Sequence, residues 1–196
     1  MLRRTLLAAL AAAPFPALAL DTDPRLTDRS VGAADAKVVV QEWFSLTCSH
    51  CADFQKTTFP TVKAKLIDTG RVRYVWRDFP LDQVALAAAM VARALPPERY
   101  EPFISTLLAT QDRWAFARNV NPTEELAKLA ALAGLPRKTF DETLADDGLR
   151  AAILAAQDDA DKNQKVQSTP TFVINGKLLP GAIKYDAFER AVTEAS

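Results

Sequence analysis

Two stretches of this chain carry β-structure patterning, Lys37 to Phe79 and Thr171 to Leu179, and the apolar stripes between them repeat at helical spacing. A sheet assembled from both ends must therefore close across a helical insertion, which excludes all-α and all-β architectures together. "KVVVQEWF", Lys37 to Phe44, is a β-branched run ending in aromatics and reads as a strand buried on both faces. From Cys48 to about Asp68, Phe54, Phe59, Val62 and Leu66 form one helical face, with a kink expected at Pro60 and a stop at Gly70. "RVRYVWRDF", Arg71 to Phe79, alternates Val72, Tyr74 and Trp76 against charged residues, the period of a half-buried strand. Lys37 to Phe79 is thus a βαβ unit, and a right-handed crossover is expected.

From Asp82 to about Gln167 the pattern is helical throughout. Val84, Ala88, Val91 and Leu95 make one stripe, ended by Pro96-Pro97, and Tyr100, Phe103, Ile104, Leu107 and Leu108 make a second. "NPTEEL" signals a third start, with Asn121 as N-cap, Pro122 in the first turn and Glu124 placed to cap back. Gly134 and Pro136 stop that helix. Phe140 and Leu144 mark a short fourth, and Leu149, Ile153 and Ala156 begin a fifth. The β pattern returns in "TFVINGKLL", where Asn175-Gly176 is a hairpin turn, and Tyr185 to Thr193 closes the chain as an amphipathic helix through Phe188 and Val192. Residues 21–36, polar and holding Pro24 and Gly32, read as an arm or an edge segment. The expected fold is α/β, with β-α-β and β-β-α halves at residues 20–81 and 168–196 and an all-helical domain inserted at 82–167.

Residues 1–19 differ from the rest. Arg3 and Arg4 precede an apolar run from Leu6 to Ala13, and Ala17-Leu18-Ala19 has the small-residue spacing of a signal-peptidase site, so a secretory signal peptide is expected. Arg3-Arg4 is compatible with general or twin-arginine export, and the run is too short for a membrane span. The composition suits one soluble unit: 49% of all residues are hydrophobic, and the 24 basic residues that balance 24 acidic ones fall to 22 once residues 1–19 are removed, with no basic run for a phosphate backbone. Nucleic acid is not an expected partner.

The chain's two cysteines and its single histidine all lie between Cys48 and Cys51, in "TCSHC". A bridge across two intervening residues removes little unfolded-state entropy, so the pair is there for chemistry rather than as a staple. At a strand-to-helix junction, Cys48 falls on the first turn, where unpaired N–H groups and the helix dipole favour thiolate, and Cys51 lies one turn deeper to resolve. His50 between them would stabilise the Cys48 thiolate further, and stabilising the reduced form makes the disulfide a stronger oxidant. A haem-attachment motif needs His where Ala52 stands, and a structural zinc lacks ligands. Two thiolates remain competent for Cu(I).

Two further features bear on this site. Thr169-Pro170 directly precedes a strand; a cis bond there would leave the Thr169 backbone free to pair with an extended peptide, whereas an ordinary trans turn proline would do nothing. Glu42 lies in an apolar strand, six residues before Cys48. Buried beneath the cysteines, it would have a raised pKa and relay a proton to or from Cys51; at a sheet edge it would be idle. Trp43, Phe44, Trp76 and Phe79 read as core.

With "EWFSLTCSHC", the helical insertion and "VQSTPTFVINGK" in view, the chain resembles the DsbA family of periplasmic thiol:disulfide oxidoreductases, within the thioredoxin-like superfamily. The resemblance covers Val38 to Ala195. It implies Cys48 as nucleophile, Cys51 as resolving cysteine, His50 as tuner, Glu42 as buried acid and Pro170 as a cis-proline preceded by Thr169. It also implies a monomeric periplasmic enzyme without cofactor or metal, reduced exported polypeptides as substrates and a DsbB-like quinone-linked membrane protein as reoxidant. Ser49-His50 stands where the family's familiar dipeptide is Pro-His, and Thr169 where the best-known oxidases carry Val. The isomerase or reductase direction therefore stays open as an alternative. Residues 20–36 cannot encode an isomerase's dimerisation domain, which favours an oxidase.

Overall fold

A computed structural model describes residues 23–196. The expected signal peptide, residues 1–19, lies outside them. Five strands form one mixed sheet: β1 (Arg29–Val31), β2 (Val38–Phe44), β3 (Val72–Asp78), β4 (Thr171–Ile174) and β5 (Lys177–Pro180), in the spatial order β1-β3-β2-β4-β5. β2 and β3 run parallel, and the other neighbours antiparallel. The polar arm thus supplies a short edge strand.

The helix after β2 departs from the expected single kinked rod. α1 (Ser49–Thr57) ends before Thr58, a new turn α2 (Phe59–Val62) starts with Pro60 in its first turn, and a wider π turn follows over Lys63–Ile67. Proline lacks an N–H and its ring crowds the preceding turn, so the break falls just ahead of Pro60 rather than at it. Phe54, Phe59, Val62 and Leu66 are all buried as the spacing required. Gly70 adopts φ +75°, which ends the segment.

Between β3 and β4 come α3 (Gln83–Ala94), α4 (Pro97–Ala109), α5 (Gln111–Trp114), α6 (Pro122–Leu132), α7 (Arg137–Leu144) and α8 (Asp147–Gln164), and α9 (Tyr185–Glu194) closes the chain. The four-residue α5 had no counterpart in the sequence pattern, being too short to show a period. Asn121 caps α6 through its side chain, accepting from the N–H groups of Thr123 and Glu124. Glu124 does not cap back. It pairs with Arg137 at the start of α7, 2.8 Å away, because a bidentate guanidinium outcompetes a backbone N–H. The β4–β5 turn holds Asn175 and Gly176 at φ 44° and 89°, both positive as a type I′ hairpin requires.

Strand alternation divides the core. On one face, Val38, Val40, Glu42 and Phe44 of β2, with Tyr74, Trp76, Phe172 and Ile174, meet α1 and α9. Phe54 packs on Phe172 at 4.6 Å between ring centroids, and Phe172 meets Phe188 edge-on at 5.5 Å. Trp43, Phe79 and Val173 instead pack with Ala160 and Val166, from α8 and the residues after it. β1 is tied down by buried charge: Arg93 on α3 pairs with Asp78, and Arg29 donates to the Arg93 carbonyl at 2.8 Å while lying over the Tyr100 ring.

Candidate active site

β2 ends at Phe44, and the turn Ser45–Leu46–Thr47 carries the chain to Cys48, whose N–H closes it on the Ser45 carbonyl at 3.1 Å. Two residues of the helical segment hold this turn. Asp82 accepts from the Thr47 hydroxyl at 2.7 Å with one oxygen and caps α3 with the other, accepting from Ala85 N–H at 2.8 Å. Gln111, the first residue of α5 and buried, donates through Nε2 to the carbonyls of Leu46 and Cys48, at 2.9 and 3.1 Å.

Cys48 is the N-cap of α1, where a side chain ordinarily accepts from the unpaired first-turn N–H groups. Here the acceptor is sulfur: Sγ receives the Cys51 N–H at 3.3 Å, and as a thiol it donates to the Thr169 carbonyl, also at 3.3 Å. The Cys51 thiol hydrogen-bonds the Cys48 thiolate most strongly. With support from the Thr169 side chain and from the backbone N–H groups of Cys51 and His50, this overcomes burial and lowers the Cys48 pKa from 9.0 to about 6. At neutral pH the lowered value favours the Cys48 thiolate over the thiol. His50 itself is exposed, and it is the peptide N–H that reaches the sulfur.

Beneath lies the opposite environment. Cys51 is fully buried in the apolar cluster, and burial, reinforced by Cys48 and Glu42, pushes its thiol far above the ordinary range. Glu42, 2% exposed, pairs in register with Trp76 on one side and Phe172 on the other. Its carboxyl accepts from the Tyr74 hydroxyl at 2.7 Å. Burial raises the Glu42 pKa from 4.5 to about 8; the Tyr74 hydrogen bond opposes that rise and the Cys48 charge adds to it. The Thr169–Pro170 peptide bond is cis, and the Pro170 carbonyl accepts from Gly181 N–H at 2.7 Å. All six residues singled out from the sequence thus lie at or beside one strand-to-helix junction.

Three residues at the site carried no expectation. Asp82 was findable, since an acidic residue immediately before a helical stripe is an N-cap signal. Tyr74 was legible as core, but its pairing with Glu42 depends on strand register. Gln111 left no signal, because its role exists only where α5 meets the turn. Among the described residues, no group of three or more His, Cys, Asp or Glu side chains could hold a metal ion. No described helix is long and apolar enough to cross a membrane.

A strand feeding a thiol pair at a helix N-terminus, faced by a cis-proline on the neighbouring strand, defines a thioredoxin-like site. The chain matches the family model described as thioredoxin over residues 25–194, and it belongs to that family, in its DsbA-like branch. It is similar to α-DsbA1 of Wolbachia pipientis, with a TM-score of 0.80 and 28% identity over 87% of this chain and 91% of that one. Disulfide bond formation protein D of Bacillus subtilis is 27% identical over 174 residues, 83% of this chain and 74% of its own. A provisionally named protein-disulfide oxidoreductase of Rickettsia prowazekii is 34% identical over 150 residues, 76% of this chain and 54% of its own. The chain spans a little over half the length of the Rickettsia relatives it matches.

Proposed function

We propose that this chain is a thiol:disulfide oxidoreductase that donates a Cys48–Cys51 disulfide to reduced exported polypeptides in the periplasm. The observation carrying this reading is the contrast between a Cys48 sulfur that receives a first-turn N–H and a Cys51 sulfur buried above Glu42. In the oxidised enzyme a substrate thiolate attacks Cys48 Sγ, the Cys48–Cys51 bond breaks, and Cys51 departs as a thiolate that takes up a proton. A second substrate thiolate then attacks the substrate sulfur of the mixed disulfide. Cys48 leaves, the substrate gains its disulfide, and both electrons remain on the enzyme as two thiols. A low-pKa Cys48 is the better leaving group in that second step. Glu42 is the group proposed to exchange the Cys51 proton.

Other parts of the reading follow from the same chemistry. The Thr169 backbone N–H has no partner among the described residues, which suits pairing with an extended substrate strand. His50 remains the proposed tuner of Cys48. Residues 1–19 serve as the export signal, the chain acts as a monomer, and a DsbB-like quinone-linked membrane protein reoxidises it. Residues 20–81 and 168–196 form the catalytic domain and 82–167 the inserted helical one. No cofactor is needed, since electrons move only between sulfurs.

Thr169 before Pro170 favours a second reading, as isomerase or reductase, and one measurement separates the two. Equilibrated against glutathione, an oxidase is expected toward about −120 mV, and a value near about −270 mV would leave a reductant in its place.

A further inference from the structure

We propose that Gln111 is a positioning residue for the Cys48 thiolate, tying the helical insertion to the nucleophile through two backbone carbonyls. The inference rests on the assignment of Cys48 as nucleophile. Gln111 is 7% exposed and its amide crosses more than sixty residues of chain to reach the carbonyls of Leu46 and Cys48, at 2.9 and 3.1 Å. The Cys48 carbonyl also accepts the first intrahelical bond, from Ala52 N–H at 3.1 Å, so Gln111 is its second donor. The Leu46 carbonyl has no other donor among the described residues.

Those two carbonyls flank the peptide units that aim Cys48. The Ser45–Cys48 turn fixes the direction from which the chain enters α1, and Thr47 is anchored separately by Asp82. With Leu46 and Cys48 held as well, rotation of the peptides leading into α1 is blocked, and Sγ stays within reach of the Cys51 N–H. The Gln111 amide hydrogens also place partial positive charge on the nucleophile's own carbonyl. Both effects favour thiolate over thiol and over disulfide, since only the reduced form carries charge at Sγ. Gln111 thereby acts on the potential without touching a substrate.

A thermodynamic cycle tests this. Gln111→Met keeps the length of the side chain and removes its donors. Its reduced form is expected to lose more melting temperature than its oxidised form, and the equilibrium with glutathione should move about tenfold toward the dithiol losing its electrons, or ~30 mV. The midpoint of the thiolate ultraviolet absorbance should rise by about one pH unit in parallel. Equal destabilisation of both redox forms, with the equilibrium unchanged, would overturn the proposal and reduce Gln111 to packing. If Gln111→Met does not fold, Gln111→Asn keeps the amide but stops one methylene short, and the same readouts apply. Alkylation of the wild-type dithiol at neutral pH distinguishes the role of Cys48 from that of Gln111. Labelling at Cys51 before Cys48 would overturn the nucleophile assignment itself, whereas Cys48 labelling with an unshifted variant would overturn Gln111 alone.

Discussion

The mouth and the floor of the site are three residues apart in sequence and differ in almost every physical respect. At the mouth, Cys48 caps a helix and gathers N–H donors, with the Thr169 carbonyl opposite. On the floor, Cys51 is enclosed in the cluster that contains Phe54, Phe172 and Phe188, with the Glu42 carboxyl as its titratable neighbour. One helical turn converts identical side chains into a good leaving group and a poor one. The difference arises because the first turn of a helix leaves its N–H groups unpaired, while a residue one turn in is wound toward the sheet.

The severest way to break this asymmetry is to remove each sulfur in turn. Cys48→Ser is expected to abolish disulfide transfer and form no mixed disulfide, while Cys51→Ser should accumulate one at Cys48, both read by mass spectrometry of acid-trapped reactions. Mixed disulfides on Cys51 in the Cys48→Ser protein would invert the roles.

A second test uses the pH dependence of stability in the reduced protein. Cys48 is depressed from 9.0 to about 6, so its contribution is present above pH 9 and is lost as pH falls through about 6. Glu42 is raised from 4.5 to about 8, so its contribution is present below pH 4.5 and is lost as pH rises through about 8. Glu42→Gln should therefore abolish a decline of several kcal/mol between those limits in denaturant unfolding. Tyr74→Phe should sharpen it, raising the Glu42 midpoint by about one unit or more in carboxyl NMR titration, because a buried carboxylate loses its donor. An unmoved midpoint would detach Tyr74 from the site.

The smallest expected effect lies far from both sulfurs. Asn121→Ala removes the α6 cap and should cost about 1 kcal/mol in unfolding experiments while leaving the redox potential unchanged. A shifted potential would mean that the insertion couples to the site by routes other than Asp82 and Gln111.

Legibility followed the range of the interaction. The Asn175-Gly176 hairpin, the β2 and β3 strands and the buried helical stripes were readable because each is written in a local period or turn preference. The break before Pro60 was misplaced by only a few residues, for the same reason. α5 has no local signature because four residues show no period. Glu124 departs from the expected capping role because its partner, Arg137, lies thirteen residues on and across an interhelical turn.

By itself, then, the sequence determined the α/β fold with its helical insertion and the placing of a thiol pair where β2 meets α1. Local propensity and hydrophobic alternation suffice for such features. Only the tertiary structure decided how deeply Cys51 is buried, that Glu42 lies between Trp76 and Phe172 with Tyr74 as its donor, and that Gln111 reaches the Cys48 carbonyl. Those depend on strand register and on burial by residues distant in sequence, and electrostatic strength changes steeply with burial.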